Sequence, residues 1–312
     1  MKDLEIFLEI LNTPPPFSSR DGDDDRAACE RLWDEFDEAK KEELAGVSYA
    51  YWIVRSRAGD HIPAGARQNS AMKEIRRHYI GESRNYARTL AVIREALEHR
   101  RRYRFDIVRS CCFEDQSYDN DSDAELAKKY RSFIVSDLET QPMVVRGVDA
   151  DRRTIIYKPP RNSPGDAEGF MVTQIYTAER AMATSEFESR AGEEKLTVVF
   201  SFRDYSSKNS PSTSTMITLA TLMQRCYPER LGVLIVADPP FWMRVIFKVV
   251  WPVLSTDTVN KIKMPSGQAA IEEEFSRVAK GNKELEGMLS SGDISSIDVT
   301  DYVRKPFYSQ YK

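Results

Sequence analysis

After about residue 125 the period of the apolar residues changes, and this change limits the available folds more than any other feature of the chain. From Ala27 to about Phe113 the spacing is helical, with Leu32, Phe36 and Ala39 at i, i+4, i+7 and Leu90, Ile93 and Leu97 at i, i+3, i+7. Gly59, Pro63 and Gly65 divide that stretch into two helical blocks, and residues 114–125 read as a polar loop. Beyond it, short β-branched and aromatic runs alternate with helical patterns. Met143–Val148 and Arg153–Lys158 read as strands joined at Asp149–Asp151, with Pro159 and Pro160 ending the second. Phe170–Phe187 reads as a helix, Leu196–Phe202 as a strand and Pro211–Cys226 as an amphipathic helix capped by Ser212 or Thr213. Leu231–Ala237 reads as a buried strand, Phe241–Trp251 as a helix and Val259–Met264 as a last strand. Parallel strands need crossover connections, so this order predicts an α/β fold with a mostly parallel central sheet, preceded by an all-helical N-terminal domain.

A length of 312 residues suits about two domains. Residues 1–26 read as an apolar leader followed by a Pro- and Asp-rich linker, 27–125 as the helical domain, 126–290 as the α/β domain and 291–312 as a tail. The leader, Leu4 to Leu11, has apolar residues to dock on the body, and the tail residues Tyr302, Phe307, Tyr308 and Tyr311 are expected to pack back in the same way. Lys and Arg total 45 against 49 Asp and Glu, a formal charge of −4, which argues against a nucleic-acid partner because phosphate neutralisation needs a basic surface. Cys29, Cys111, Cys112 and Cys226 form no disulfide framework, which suggests a reducing compartment. His61, His78 and His99 show no zinc-ligand spacing, so no metal site is expected. Met1–Asn12 has no basic region or small-residue cleavage site of a secretory signal. Leu231–Leu254 is the most apolar stretch, but Asp238, Pro239, Pro240, Arg244, Lys248 and Pro252 interrupt it as a membrane span.

Enzyme signatures are missing: no G-x-G-x-x-G after a strand, no P-loop, no G-x-S-x-G elbow and no H-E-x-x-H. The chain is therefore read as a non-enzyme without a cofactor. Its unusual segment is Phe241–Trp251, which has apolar residues on nearly every face. Such a helix is either buried or in contact with lipid. It could be an ordinary crossover helix, or a helix with one face on a cavity and the other on a membrane, where the stems of Arg244 and Lys248 would reach lipid phosphates.

The residues around this segment resemble a known family. Tyr227-Pro-Glu-Arg-Leu-Gly232, the strand Val233–Ala237, Pro240-Phe241 and the run from Trp251 to Ile262 match, in order and spacing, the CRAL-TRIO or Sec14-like lipid-binding domain. That family has Y-P-E-R-[LM]-G, a strand, a proline turn, a gating helix and then T-x-x-K-I. Gly147–Arg153 resembles its G-x-D-x-x-G-R turn, Val198–Ser206 its central strand, and Ala96–Arg100 the end of its N-terminal helical domain. The resemblance runs from about Arg77 to Ala279.

The resemblance implies a carrier of one hydrophobic molecule, with phosphatidylinositol the expected ligand. Its head-group contacts would be Glu229, Thr258 and Lys261. A lysine can pair with the phosphodiester, a carboxylate can accept from inositol hydroxyls, and a threonine adds a neutral donor and acceptor. A surface salt bridge between Glu229 and Lys261 would explain two of these residues without a ligand. Phe241, Trp242, Val245, Ile246, Phe247, Val249 and Val250 would form the gate helix and acyl pocket. The protein is expected to be a cytoplasmic monomer that visits membranes. The alternatives are a carrier of a tocopherol, retinoid, sterol or squalene, or a lipid-regulated interaction module. The choline-lipid hydroxyl pair is replaced by Leu196 and Val198, and only Arg77 survives of the family's R-x-L-R-A-R run, aligned at Arg77–Glu82. Ser201 and Asp204 also depart from the central-strand pattern. Arg100, Arg101, Arg102 and Arg104 are read as a solvated helix end, with anionic lipid as the other possibility. Cys226 is read as a small core residue.

Overall fold

The computed structural model describes residues 2–15, 17, 23–58, 62–113, 116–140, 143–158, 166–189, 194–202, 211–254, 256–291, 298–305 and 307–308. Pro159, Pro160, Gly59, His61, Asp204, Tyr311 and most of the proline-aspartate linker lie outside them. The helices before the sheet are α1 (Lys2–Asn12), α2 (Asp23–Asp34), α3 (Glu38–Ala45), α4 (Tyr49–Ala58), α5 (Ala66–Gly81), α6 (Tyr86–Arg102), α7 (Phe105–Ser110) and α8 (Asp121–Thr140). There follow β1 (Val144–Val148), β2 (Thr154–Lys158), α9 (Ala167–Ser189), β3 (Leu196–Ser201), α10 (Thr213–Cys226), β4 (Leu231–Ala237), α11 (Phe241–Val250), α12 (Thr256–Asn260), β5 (Ile262–Lys263), α13 (Gln268–Ala279), α14 (Lys283–Ser291) and α15 (Val299–Arg304).

The chain forms two compact units: Met1–Arg102 with Met182–Glu194 and Leu222–Arg230, and Tyr103–Ala181 with Lys195–Thr221 and Leu231–Lys312. In the first, α1 docks on α4 and α5 through the buried side chains of Phe7, Ile10 and Leu11. Helix ends leave carbonyls unsatisfied, and α5 supplies donors to them: Lys73 Nζ donates to Ile10 O at 2.9 Å and Asn69 Nδ2 to Leu11 O at 3.2 Å. The leader is thus built into this unit. Arg101 donates to both carboxylate oxygens of Glu43, so this member of the basic run forms an exposed ion pair within the unit.

The second unit holds a five-stranded sheet in the order β1-β2-β3-β4-β5, with β1 antiparallel to β2 and the rest parallel. Ile155, Tyr157, Val199, Ile235 and Val236 are buried along the central strands, the β-branched and aromatic composition of parallel strands covered on both faces. Asp149 closes the first hairpin by accepting the N–H groups of Asp151 and Arg153, each at 2.8 Å. Its other oxygen accepts from Thr197 Oγ1 at 2.5 Å, which ties that turn to β3. Gly232 is required by crowding: a Cβ there would lie 2.6 Å from Arg153 Cδ and 3.0 Å from the Leu196 carbonyl oxygen. The tail packs back as expected. Tyr302 and Phe307 are buried, and the Val145 N–H donates to Tyr302 Oη at 3.0 Å.

Two expectations are corrected. The polar stretch 114–125 is not all loop: α8 starts at Asp121, and Asp121 and Asp123 stand in its first turn, where negative charge complements the helix dipole. The last strand is shorter than Val259–Met264, because Thr256–Asn260 is helical and only Ile262 and Lys263 pair with β4.

Candidate functional site

Helix α11 begins immediately after Pro240, whose extended backbone turns the chain out of β4. Met243 is buried against Phe202 and Val236, with Phe200, Leu234, Phe247 and Met264 packed around them. Met243 and Phe247 are four apart, so they form one inner stripe. The opposite stripe is Phe241, Arg244, Val245 and Lys248, at i, i+3, i+4 and i+7. Phe241 is 82% exposed and Val245 45%, and Arg244 and Lys248 are exposed beside them. Trp251, at the C-terminal end, is 37% exposed and meets Phe247 edge to face at 5.9 Å. Arg244 Nη2 donates to Ser266 Oγ at 2.8 Å. Of the sequence-predicted gate residues, the side chains of Trp242, Ile246, Val249 and Val250 lie outside what the structure describes.

Thr258 and Lys261 are brought together at the end of α12, where the Lys261 N–H donates to Thr258 O at 3.1 Å and the Leu234 N–H of β4 donates to Lys261 O at 2.9 Å. The lysine backbone is therefore fixed by the sheet edge. Its ammonium pairs with the Asp257 carboxylate, a residue absent from the sequence reading although its i, i+4 spacing from Lys261 was visible. Lys261 is 19% exposed at the side chain and Asp257 61%.

Glu229 belongs to the other unit, in the turn between α10 and β4, half-buried and with a left-handed φ of 56°. The turn is anchored by its neighbour Arg230, which is buried and pairs with Glu194 and, at 3.5 Å, with Glu74. Arg77 joins the same two carboxylates, at 2.7 Å from Glu194 and 3.1 Å from Glu74. Burial alone would raise the Glu194 carboxyl, but Arg77, Arg230 and Lys73 more than offset it and hold it at about 2. Glu186, also buried, is raised, first by desolvation and then by Glu194. Burial lowers His78 to about 4, against the pull of Glu74. The sequence reading missed this network. Glu74, Arg77 and His78 share one face of α5, but Glu194 and Arg230 come from distant segments.

Among the described residues no group of three His, Cys, Asp or Glu side chains is placed to hold a metal ion, and no helix is long and apolar enough to cross a membrane. The arrangement instead offers a helix with an apolar inner stripe and an apolar-basic outer stripe, next to a lysine-threonine pair able to meet an anionic, hydroxyl-bearing group.

Comparison with known proteins agrees with this geometry. The CRAL/TRIO domain model matches residues 138–280. Among solved structures, the crystal structure of Sfh5 is similar in fold, with 13% sequence identity, a TM-score of 0.55 and coverage of 82% of this chain and 84% of that one. No curated protein matches the chain. Residues 138–280 therefore match the CRAL/TRIO domain model, and the fold, a mostly parallel sheet after a helical N-terminal region, is similar to that of Sfh5.

Proposed function

We propose that this protein binds phosphatidylinositol in a pocket closed by α11 and transfers or presents it between membranes. The observation that carries the reading is the outer stripe of α11, where Phe241 and Val245 lie open beside Arg244 and Lys248. Each buried methylene is worth about 0.8 kcal/mol, so a two-chain lipid leaves a bilayer only if its tails are re-buried. A helix that seals a lipid pocket and then meets the bilayer needs apolar groups on both sides and cations at the head-group level. Thr258 on α12, Lys261 immediately after that helix and Glu229 in the turn before β4 are assigned to the head group, each from the resemblance of its own motif. The protein works as a cytoplasmic monomer that visits membranes, without covalent chemistry, and phospholipid is its ligand.

The test is to incubate the purified protein with mixed-lipid vesicles, re-isolate it and identify bound lipid by mass spectrometry, comparing wild type with Lys261→Ala. The reading expects close to one phosphatidylinositol per protein, lost in the variant. A neutral hydrophobe carried equally by both proteins would replace the ligand assignment. Absence of lipid from both would favour an interaction module.

A further inference from the structure

We infer that Asp257 is a charge filter beside the head-group lysine and selects against multiply phosphorylated inositol lipids. The inference rests on the assignment of Lys261 to the head group and adds a residue that the resemblance does not supply.

Asp257 and Lys261 stand four apart across the end of α12, and their carboxylate and ammonium form an ion pair. The pair is lopsided. The lysine is 19% exposed and held through its backbone by β4, whereas the aspartate is 61% exposed, on the open side of the pair. Asp257 therefore cancels part of the attraction that a ligand approaching Lys261 meets at a distance.

The consequence depends on the charge of the ligand. Coulomb energy is linear in charge, so repulsion from Asp257 scales with the total charge of the head group. Phosphatidylinositol carries one negative charge on its phosphodiester. Each added monoester phosphate brings about 1.5 to 2 more, so a bisphosphorylated head group carries about four to five. Removing the Asp257 charge should then raise the affinity for the two lipids by factors whose logarithms differ about four- to fivefold. A twofold gain for phosphatidylinositol implies roughly sixteenfold or more for its bisphosphate. A residue that merely stiffens α12 would change both lipids by the same factor.

The experiment presents wild type, Asp257→Asn and Asp257→Ser with phosphatidylcholine vesicles containing equal amounts of phosphatidylinositol and its 4,5-bisphosphate. The two lipids extracted with the re-isolated protein are then counted by mass spectrometry. At about 50 mM salt, both variants are expected to raise the bisphosphate-to-phosphatidylinositol ratio about tenfold or more. The shift should shrink toward unity at about 1 M salt, where the Debye length is roughly 3 Å. A ratio within twofold of wild type, with phosphatidylinositol still bound, overturns the filter and leaves the head-group assignment standing. Loss of phosphatidylinositol from both variants also overturns it, by making Asp257 the residue that places Lys261. If wild type and variants alike take up neither inositol lipid, the head-group assignment itself fails, and the filter with it.

Discussion

The cluster around Arg230 in the first unit and the outer stripe of α11 in the second break the ordinary rule of burial in opposite directions. In the cluster, Glu74, Arg77, Glu186, Glu194 and Arg230 take charge into the interior or close to it. On α11, Phe241 and Val245 bring apolar surface out of it. The informative departures from burial are the buried polar group and the exposed apolar patch. In the cluster every carboxylate of the three meets a cation or an N–H donor, so the departure is balanced inside the fold: Glu186 accepts the Ala50 N–H at 2.8 Å, and Glu74 and Glu194 face two arginines. The apolar stripe of α11 gains nothing from its own unit by being exposed, and that is why it is read as a surface for lipid. Balanced departures report on stability and unbalanced ones on function.

The comparison is broken most easily at Arg230. Arg230→Met leaves Glu194 and Glu74 with Arg77 as their remaining guanidinium partner. Loss of one member of a buried ion network costs about 3–5 kcal/mol, measured as a shift of the urea unfolding midpoint. A loss below about 1 kcal/mol would show that the cluster is not what holds this unit together.

His78 tests the same cluster through pH. The unfolded chain takes up the histidine proton near 6.5, but the buried residue takes it up only near 4. Its contribution is therefore full above about pH 6.5 and is lost as pH falls toward 4, on the order of 3 kcal/mol in all. His78→Gln should flatten that limb when unfolding is followed across pH 4 to 7. Glu194 acts lower: its depressed carboxyl gives stability that is present above about 4.5 and lost as pH falls to about 2. Asp137, in the other unit, is raised by burial to about 6 and has the opposite sign, losing stability as pH rises from 3.8 to 6. It remains in the variant, so the difference between the two proteins isolates His78. Parallel curves would contradict the assignment.

Phe241 sharpens the other half of the comparison. Full burial of a phenylalanine is worth about 1.5–3 kcal/mol. Phe241→Ser should therefore weaken vesicle binding about ten- to a hundredfold while changing the unfolding free energy by less than about 0.5 kcal/mol. Sedimentation with vesicles and urea unfolding of the same preparation check both values. A stability loss without a binding loss would make Phe241 a packing residue.

Legibility in the sequence followed the range of the interactions. Strand β4 was read at its observed ends, Leu231 and Ala237, because a β-branched run between two turn signals is a local pattern. The start of α10 was legible in the same way, and Ser212 Oγ does accept the Thr215 N–H at 3.1 Å. The start of α8 was not, since Asp121 and Asp123 look like loop residues until the helix dipole is considered. In α12 and β5, the apolar residues Val259 and Ile262 suggested a strand where Asp257 and Lys261 already marked a helical turn. The two stripes of α11 were both visible as apolar spacing, but which faces inward depends on Phe202 and Val236, which come from other strands. The ion cluster was least legible, because Arg77 meets Glu194 across 117 residues.

The central claim is that lipid passes through a movement of α11, and pinning that helix tests it most directly. Arg244 and Ser266 already touch, and Cys29, Cys111, Cys112 and Cys226 are all buried, so Arg244→Cys with Ser266→Cys can be joined selectively by a short, cleavable thiol crosslinker. Exchange of fluorescent phosphatidylinositol between vesicles is then followed before crosslinking, after it and after cleavage. The account predicts exchange that stops on crosslinking and returns on cleavage, with the fold unchanged by circular dichroism. Undiminished exchange by the crosslinked protein would contradict it.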